Sequence, residues 1–266
     1  MKIKVRGIDM AYDDTGGSGV PLLLVHGFPL DRTLWAAQVR GLADVARVIA
    51  PDLRGFGESA QSVPTGAVTM DTYADDLRAL LDALGVKSTV IAGLSMGGYI
   101  TFAFYRKNAG RVRGLILADT KAGPDTPEGK KGRDDNAALA RAQGSVAVGD
   151  KMMPKLLTPT TATERPFIAG AVRSMMARQS VEGVVAALMA IRDRPDSTPT
   201  LAEIAVPTLV ITGAEDTLIP PQEAEAMQDA IRGAQLVSIP GAGHLANFEA
   251  PDAFNHAVRD FLKSIA

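Results

Sequence analysis

A serine set among glycines, Gly93-Leu94-Ser95-Met96-Gly97-Gly98, stands between the apolar run Thr89-Val90-Ile91-Ala92 and a helical pattern from Tyr99 to Lys107. A bare Gly-x-Ser-x-Gly is short enough to arise by chance, so its setting matters: a strand, a tight turn and a helix in that order hold the serine in a strained conformation with its hydroxyl projecting above a sheet. Glycines two before and two after it let strand and helix come close. The hydroxyl also meets the amino end of a helix, where developing negative charge is favoured. This spacing suits a nucleophile.

A serine hydroxyl is weakly nucleophilic at neutral pH and needs a base, for which imidazole is suited by its titration range. Three histidines are present. His244 lies in the loop Pro240-Gly241-Ala242-Gly243-His244-Leu245, directly after the expected strand Gln235 to Ile239, and so overhangs the carboxyl end of a sheet. His256 falls inside the last helical pattern and reads as a surface or packing residue, whereas His26, at the end of an early strand, reads as the organiser of its own loop. The base in turn needs an acid to accept its second ring proton. Asp216, in Gly213-Ala214-Glu215-Asp216-Thr217, follows a strand and precedes a helix. Glu215 beside it is a rival expected to point the other way, Asp119 is a second rival, and a plainer role for Asp216 is to cap the helix that follows. Two backbone N–H groups are placed to hold an oxyanion: that of Met96, next to the serine, and that of Phe28 in the loop His26-Gly27-Phe28-Pro29.

The elements that must carry these residues alternate. Residues 2 to 14 read as an antiparallel edge hairpin turning near Arg6-Gly7; Pro21 to Val25 is apolar without alternation, as in a strand covered on both faces. Further strands are expected at Arg47 to Ala50, Ser88 to Ala92, Val112 to Ala118, Thr208 to Thr212 and Gln235 to Ile239. Helical periodicity marks Asp71 to Leu84, stopped by Gly85, and about Pro251 to Lys263. The pattern is that of a largely parallel α/β sheet. It breaks between Lys121 and about Pro199, where only helical segments appear, so the expected organisation is a core of residues 1–120 and 200–266 interrupted by a helical insertion at 121–199. Five of the ten methionines lie there, either filling the insertion's own core or lining an adaptable pocket. The run Lys130-Lys131-Gly132-Arg133-Asp134-Asp135 reads as a solvated surface.

Composition removes other classes. The 266 residues carry 28 basic and 30 acidic side chains, a formal charge of -2, so no global positive field favours nucleic acid or anionic lipid. Cysteine is absent, which eliminates disulfides, thiolate metal sites and cysteine nucleophiles. No apolar run approaches the roughly 18 residues that span a bilayer, and the charged start lacks a signal-like apolar stretch; a soluble, cytoplasmic protein is expected. Neither phosphate-binding nor dinucleotide-binding glycine motifs occur in the required context, and three scattered histidines make no zinc pattern, so no cofactor and no metal are expected.

Taken together, His26-Gly27-Phe28-Pro29-Leu30, Asp52-Leu53-Arg54-Gly55-Phe56-Gly57-Glu58-Ser59, Gly93 to Gly98, Gly213-Ala214-Glu215-Asp216 and Gly241-Ala242-Gly243-His244 resemble the α/β hydrolases of the short-chain esterase, enol-lactonase and cofactor-free haloperoxidase group. The resemblance covers nearly all of the chain outside 121–199. It implies a mostly parallel eight-stranded sheet with helices on both faces, an oxyanion donor from the first segment, a structural turn from the second, and an all-helical cap over the site. A serine at the nucleophile position disfavours the dehalogenase and epoxide-hydrolase branches, which carry aspartate. The expected function is hydrolysis of a small to medium carboxylic ester or lactone by Ser95, His244 and Asp216, with Phe28 and Met96 as oxyanion donors. Perhydrolysis or carbon–carbon bond hydrolysis by the same residues is the alternative within enzymology; a small-molecule sensor with vestigial hydrolysis is the alternative outside it.

Overall fold

The structure, a computed structural model, describes residues 1–60 and 67–265. Eight strands form one sheet: β1 (Lys2–Val5), β2 (Ile8–Asp14), β3 (Val20–Val25), β4 (Ala46–Pro51), β5 (Thr89–Leu94), β6 (Val112–Ala118), β7 (Thr208–Gly213) and β8 (Gln235–Ile239). They are ordered β1-β2-β4-β3-β5-β6-β7-β8. β1 and β2 are the antiparallel edge expected of residues 2–14, and every pairing from β4 to β8 is parallel.

The continuous apolar runs of the central strands have a simple cause: both faces are covered. Leu22, Leu24, Val48, Val90, Ile116 and Leu209 point into one core; Leu23, Ile49, Ile91, Leu115, Leu117 and Val210, their alternates, point into the other. Helices α1 (Ala36–Gly41) and, at the far end of the chain, Pro251–Ser264 lie on the first side. α2 (Met70–Ala83) and α3 (Met96–Asn108) lie on the second, with Pro221–Ala230 beside them. α2 begins at a capping box between Thr69 and Thr72, buries Ala74, Leu77, Leu80 and Leu81, and ends at Gly85 with φ 66°. Burial of each large aliphatic side chain contributes roughly 1.5–3 kcal/mol, which fastens such a stripe to the sheet.

Between β6 and β7 the described residues form helices alone: α4 (Pro127–Gln143), α5 (Ser145–Leu156), α6 (Pro159–Glu164), α7 (Pro166–Ala177), α8 (Val181–Arg192) and α9 (Thr198–Leu201). Thr126, Thr158 and Ser180 cap three of them by accepting from the chain three residues on, and proline occupies the first position of α4, α6 and α7. α4 packs against α8 and α5, and α5 against α7. Met175 and Met176 are buried within this helical layer. The layer is pinned to the sheet by Gln179, whose amide donates to Asp31 Oδ2 at 3.1 Å and accepts from Gly57 N at 2.8 Å. α10 (Pro221–Ala230), α11 (Ala246–Glu249) and α12 (Pro251–Ser264) complete the chain.

From β3 the chain moves to β4 on one side, and β5 then takes the other side of β3. Neighbouring strands thus send their following loops in opposite directions, opening a crevice at their carboxyl ends. Residues 26–28 and Ser95 sit at that crevice.

Candidate active site

Ser95 leaves β5 with φ 55° and ψ -115°, a conformation that side-chain-bearing residues seldom adopt. Its surroundings hold it there. Ser95 N donates to Ala118 O at 2.9 Å, and Ser95 O accepts from Gly98 N at 2.9 Å and from the Thr120 hydroxyl at 2.8 Å. The turn tolerates no bulk: a Cβ on Gly93 would drive into the carbonyl of Gly97, and one on Gly97 into the carbonyl of Val25. Ser95 itself is half-buried and faces a narrow cavity of about 70 Å³.

The loop after β3 closes on this turn from the side. A Cβ built on Gly27 would lie 3.3 Å from Ser95 Cβ. Phe28 and Met96 both line the cavity, and among the described residues neither backbone N–H donates to a protein acceptor. His26 braces the loop from beneath: Nδ1 donates to Gly27 O at 2.9 Å and Nε2 accepts from Leu53 N at 3.0 Å. Only a neutral ring can do both, and burial lowers its pKa accordingly.

Across the crevice, His244 Nδ1 donates to Asp216 Oδ2 at 2.8 Å, both side chains being buried. The other oxygen, Asp216 Oδ1, accepts from Leu218 N at 2.8 Å and Ile219 N at 2.9 Å. These two residues wall the cavity that Ser95 faces. The hydrogen bond to Asp216 fixes the ring tautomer and leaves Nε2 as the available base. Among the described residues no hydrogen bond joins the Ser95 hydroxyl to His244. Glu215 is exposed, and His256 is on the surface beside Asp260.

The family model described as alpha/beta hydrolase fold matches residues 20–251. The chain belongs to the α/β-hydrolase family. Among solved structures, this α/β hydrolase is similar to a thermophilic esterase from Thermogutta terrifontis solved with malate bound (45% identity, TM-score 0.96, 100% of this chain and 99% of that one). It is also similar to the enol-lactonase from Burkholderia xenovorans LB400 (31% identity, TM-score 0.92, 99% and 100%). A relative by sequence is a putative non-heme chloroperoxidase of Synechocystis, 32% identical over 281 residues that cover 96% of this chain and 95% of that one.

Three supports of the α/β-hydrolase site carry no clear mark in the sequence. Asp119, by sequence only a rival acid, makes no hydrogen bond or ion pair with His244 among the described residues; its Oδ1 accepts from Gly213 N at 2.7 Å and its Oδ2 from Ala246 N at 3.4 Å, tying together the loops that carry Asp216 and His244. Burial, and then the nearby Asp216 carboxylate, hold its pKa well above the usual range. Glu249 is buried and accepts from Gly243 N at 2.7 Å and Thr158 N at 3.0 Å, joining the His244 loop to the start of α6. Arg133 departs from the expected solvated run: it is turned inward and lines the cavity, while Lys131 beside it pairs with Asp135 in solvent. Among the described residues no group of three or more histidine or carboxylate side chains is arranged to hold a metal ion, and no helix is long and apolar enough to cross a membrane.

Proposed function

We propose that this α/β hydrolase cleaves carboxylic esters or lactones of small to medium acyl chain through an acyl-enzyme. The observation that carries the reading is the strained Ser95 turn facing the same cavity as the two amide-bearing residues that hold Asp216, and through it His244. Ser95 Oγ attacks the acyl carbon while its proton passes to His244 Nε2. The carbonyl oxygen becomes an oxyanion and accepts from the N–H groups of Phe28 and Met96, donors that are unoccupied until then and each worth roughly 3–4 kcal/mol of barrier. Collapse of the tetrahedral species expels the alcohol, which takes the proton from His244. Water then attacks the acyl-serine, giving up its proton to the same nitrogen, and the acid is released as Ser95 is reprotonated. The Ser95–His244 hydrogen bond must close when substrate enters, as is common for such contacts in ligand-free sites.

In this reading the helices of residues 121–199 are a cap that roofs the cavity through Met152, Arg133 and Ile191. The esterase and enol-lactonase names of the similar proteins agree with acyl transfer to water. Replacement Ser95→Ala tests the proposal: turnover of 4-nitrophenyl acetate should fall by on the order of 10⁴–10⁶ with the circular dichroism spectrum unchanged. A variant retaining wild-type turnover would overturn it.

A further inference from the structure

The cavity in front of Ser95 has a lining of mixed character: Phe28, Met152, Ile191 and Leu218 wall it beside two cations, Lys121 and Arg133, and among the described residues no carboxylate does. Both cations are only partly buried, and a neutral acyl chain entering the cavity would strip water from their charges and return nothing. Lys121 forms no hydrogen bond and no ion pair among the described residues. Its backbone follows Thr120, whose hydroxyl is fixed on the Ser95 carbonyl at 2.8 Å, so the lysine springs from a point tied to the serine turn.

Arg133 is only partly answered. Its Nε donates to Asp125 Oδ2 at 2.9 Å, while Asp125 Oδ1 accepts from Arg194 Nη1 at 2.8 Å. One carboxylate therefore serves two guanidinium groups, and the Arg133 Nη groups have no partner among the described residues. Burial would push the Asp125 pKa up, but the hydrogen bonds and charges of Arg133 and Arg194 outweigh it and hold it below the usual range, so Asp125 is already ionised and the local balance is still positive. Arg194 is further fixed by stacking 4.1 Å over the ring of Tyr99, another cavity residue.

We infer that the site is built for an acyl group whose far end is a carboxylate, held by Lys121 and Arg133 while the ester or lactone carbonyl lies at Ser95. This deepens the proposed hydrolysis, and the placement of the carbonyl rests on that reading; the capture of the carboxylate does not. A planar guanidinium with both amino groups free, beside an ammonium, matches a carboxylate better than it matches a neutral group. The narrow cavity limits the chain between the two ends to a few carbons.

Two measurements test the inference. Calorimetric titration with glutarate, its neutral diamide and inorganic phosphate reads binding without catalysis. Glutarate should bind at least tenfold more tightly than the diamide and than phosphate, less so as salt rises, and both K121Q and R133Q should lower its affinity by tenfold or more. Equal affinity for glutarate and diamide overturns the inference, and so does phosphate binding as tight as glutarate, which would mark a general anion site. Hydrolysis followed by pH-stat then compares ethyl hydrogen glutarate with ethyl glutaramate, its amide of the same size. The ratio of kcat/KM for acid over amide should exceed ten and fall at least tenfold in each variant; a ratio near one, or one that neither variant changes, sinks the proposal. Absence of turnover with both esters, alongside selective glutarate binding, would refute the hydrolase reading and leave the carboxylate site standing.

Discussion

Asp119 and Asp216 close the ends of neighbouring strands β6 and β7, and the two carboxylates divide the work between them. Asp216 holds the imidazole of His244, whereas the buried Asp119 holds the backbone at Gly213 and Ala246. Asp119 also adopts φ 43°, so its own backbone is bent to reach both loops. Its flanking residues Ala118 and Thr120 grip Ser95 through N and O. The end of β6 thus touches all three segments that carry Ser95, Asp216 and His244.

A pH signature follows from the raised pKa of Asp119, whose causes are burial first and the Asp216 charge second. Its folded pKa lies above the unfolded value of about 3.9, so the native state holds a proton that the unfolded chain has lost. Stability from this group is complete below about pH 3.9 and declines as pH rises through the folded pKa. Asp119→Asn, neutral at every pH, removes that decline. Urea denaturation between pH 5 and 8 should show this variant gaining on wild type as pH rises; a difference independent of pH would rule the ionisation out. Asp119→Ala, which leaves Gly213 N without an acceptor, should be the less stable of the two variants by about 1–3 kcal/mol at pH 5.

The serine turn makes a steric prediction. Gly97→Ala sets a methyl against the carbonyl of Val25, and the clash is backbone against helix, with no side chain free to swing aside. Helix α3 must back away, carrying Met96 N and Ser95 with it. Displacement by about 1 Å at a reacting centre costs on the order of 10²-fold in rate, and overpacking costs roughly 1–3 kcal/mol. Ester kinetics and a denaturation midpoint should show both losses; unaltered kcat/KM would mean that the close approach is unnecessary.

Much of this is legible in the chain. The central strands stand out because burial on both faces leaves no polar alternates, and Ser95, Asp216 and His244 because each follows such a strand end in glycine-rich turn residues. The supporting carboxylates do not. Asp119 and Glu249 act on partners 94 and 6 residues away through backbone N–H groups, which carry no side-chain signature. Arg133 is hidden for another reason. It shares its helix face with Ala137 and Ala140, residues too small to make the inner stripe of α4 evident against its many charges, so the phase of the helix is clear only in the packed structure.

Away from the site, Asp76 on α2 is fully buried and accepts from Arg54 Nε and Nη2 at 2.7 Å each, with Arg6 Nε donating to it at 3.0 Å. This joins α2 to the turn after β4 and to the edge hairpin. Removing one partner of a buried pair strands the other charge and costs about 3–5 kcal/mol. For a chain of this size Asp76→Ala should lower Tm by roughly 6–20 °C, read by differential scanning calorimetry. A shift of about one degree would show the pair to be replaceable by water.

The acid limit of the protein should trace to His26. Burial lowers its pKa most strongly, against the opposing pull of its bond to Gly27 and of the Asp52 and Asp31 charges. The folded pKa therefore lies below the unfolded value of about 6.5, and between them the unfolded chain binds a proton that the native state refuses. The stabilisation is present above about pH 6.5 and drains away as pH falls through the folded pKa. Protonation also destroys a specific contact, because a charged ring has no lone pair left for Leu53 N, and the loop so released carries the N–H of Phe28. His26→Gln should be less stable than wild type at pH 8 yet lose less on going from pH 6.5 to 5, so that the two Tm curves converge on the acid side. Parallel curves would place the acid sensitivity elsewhere.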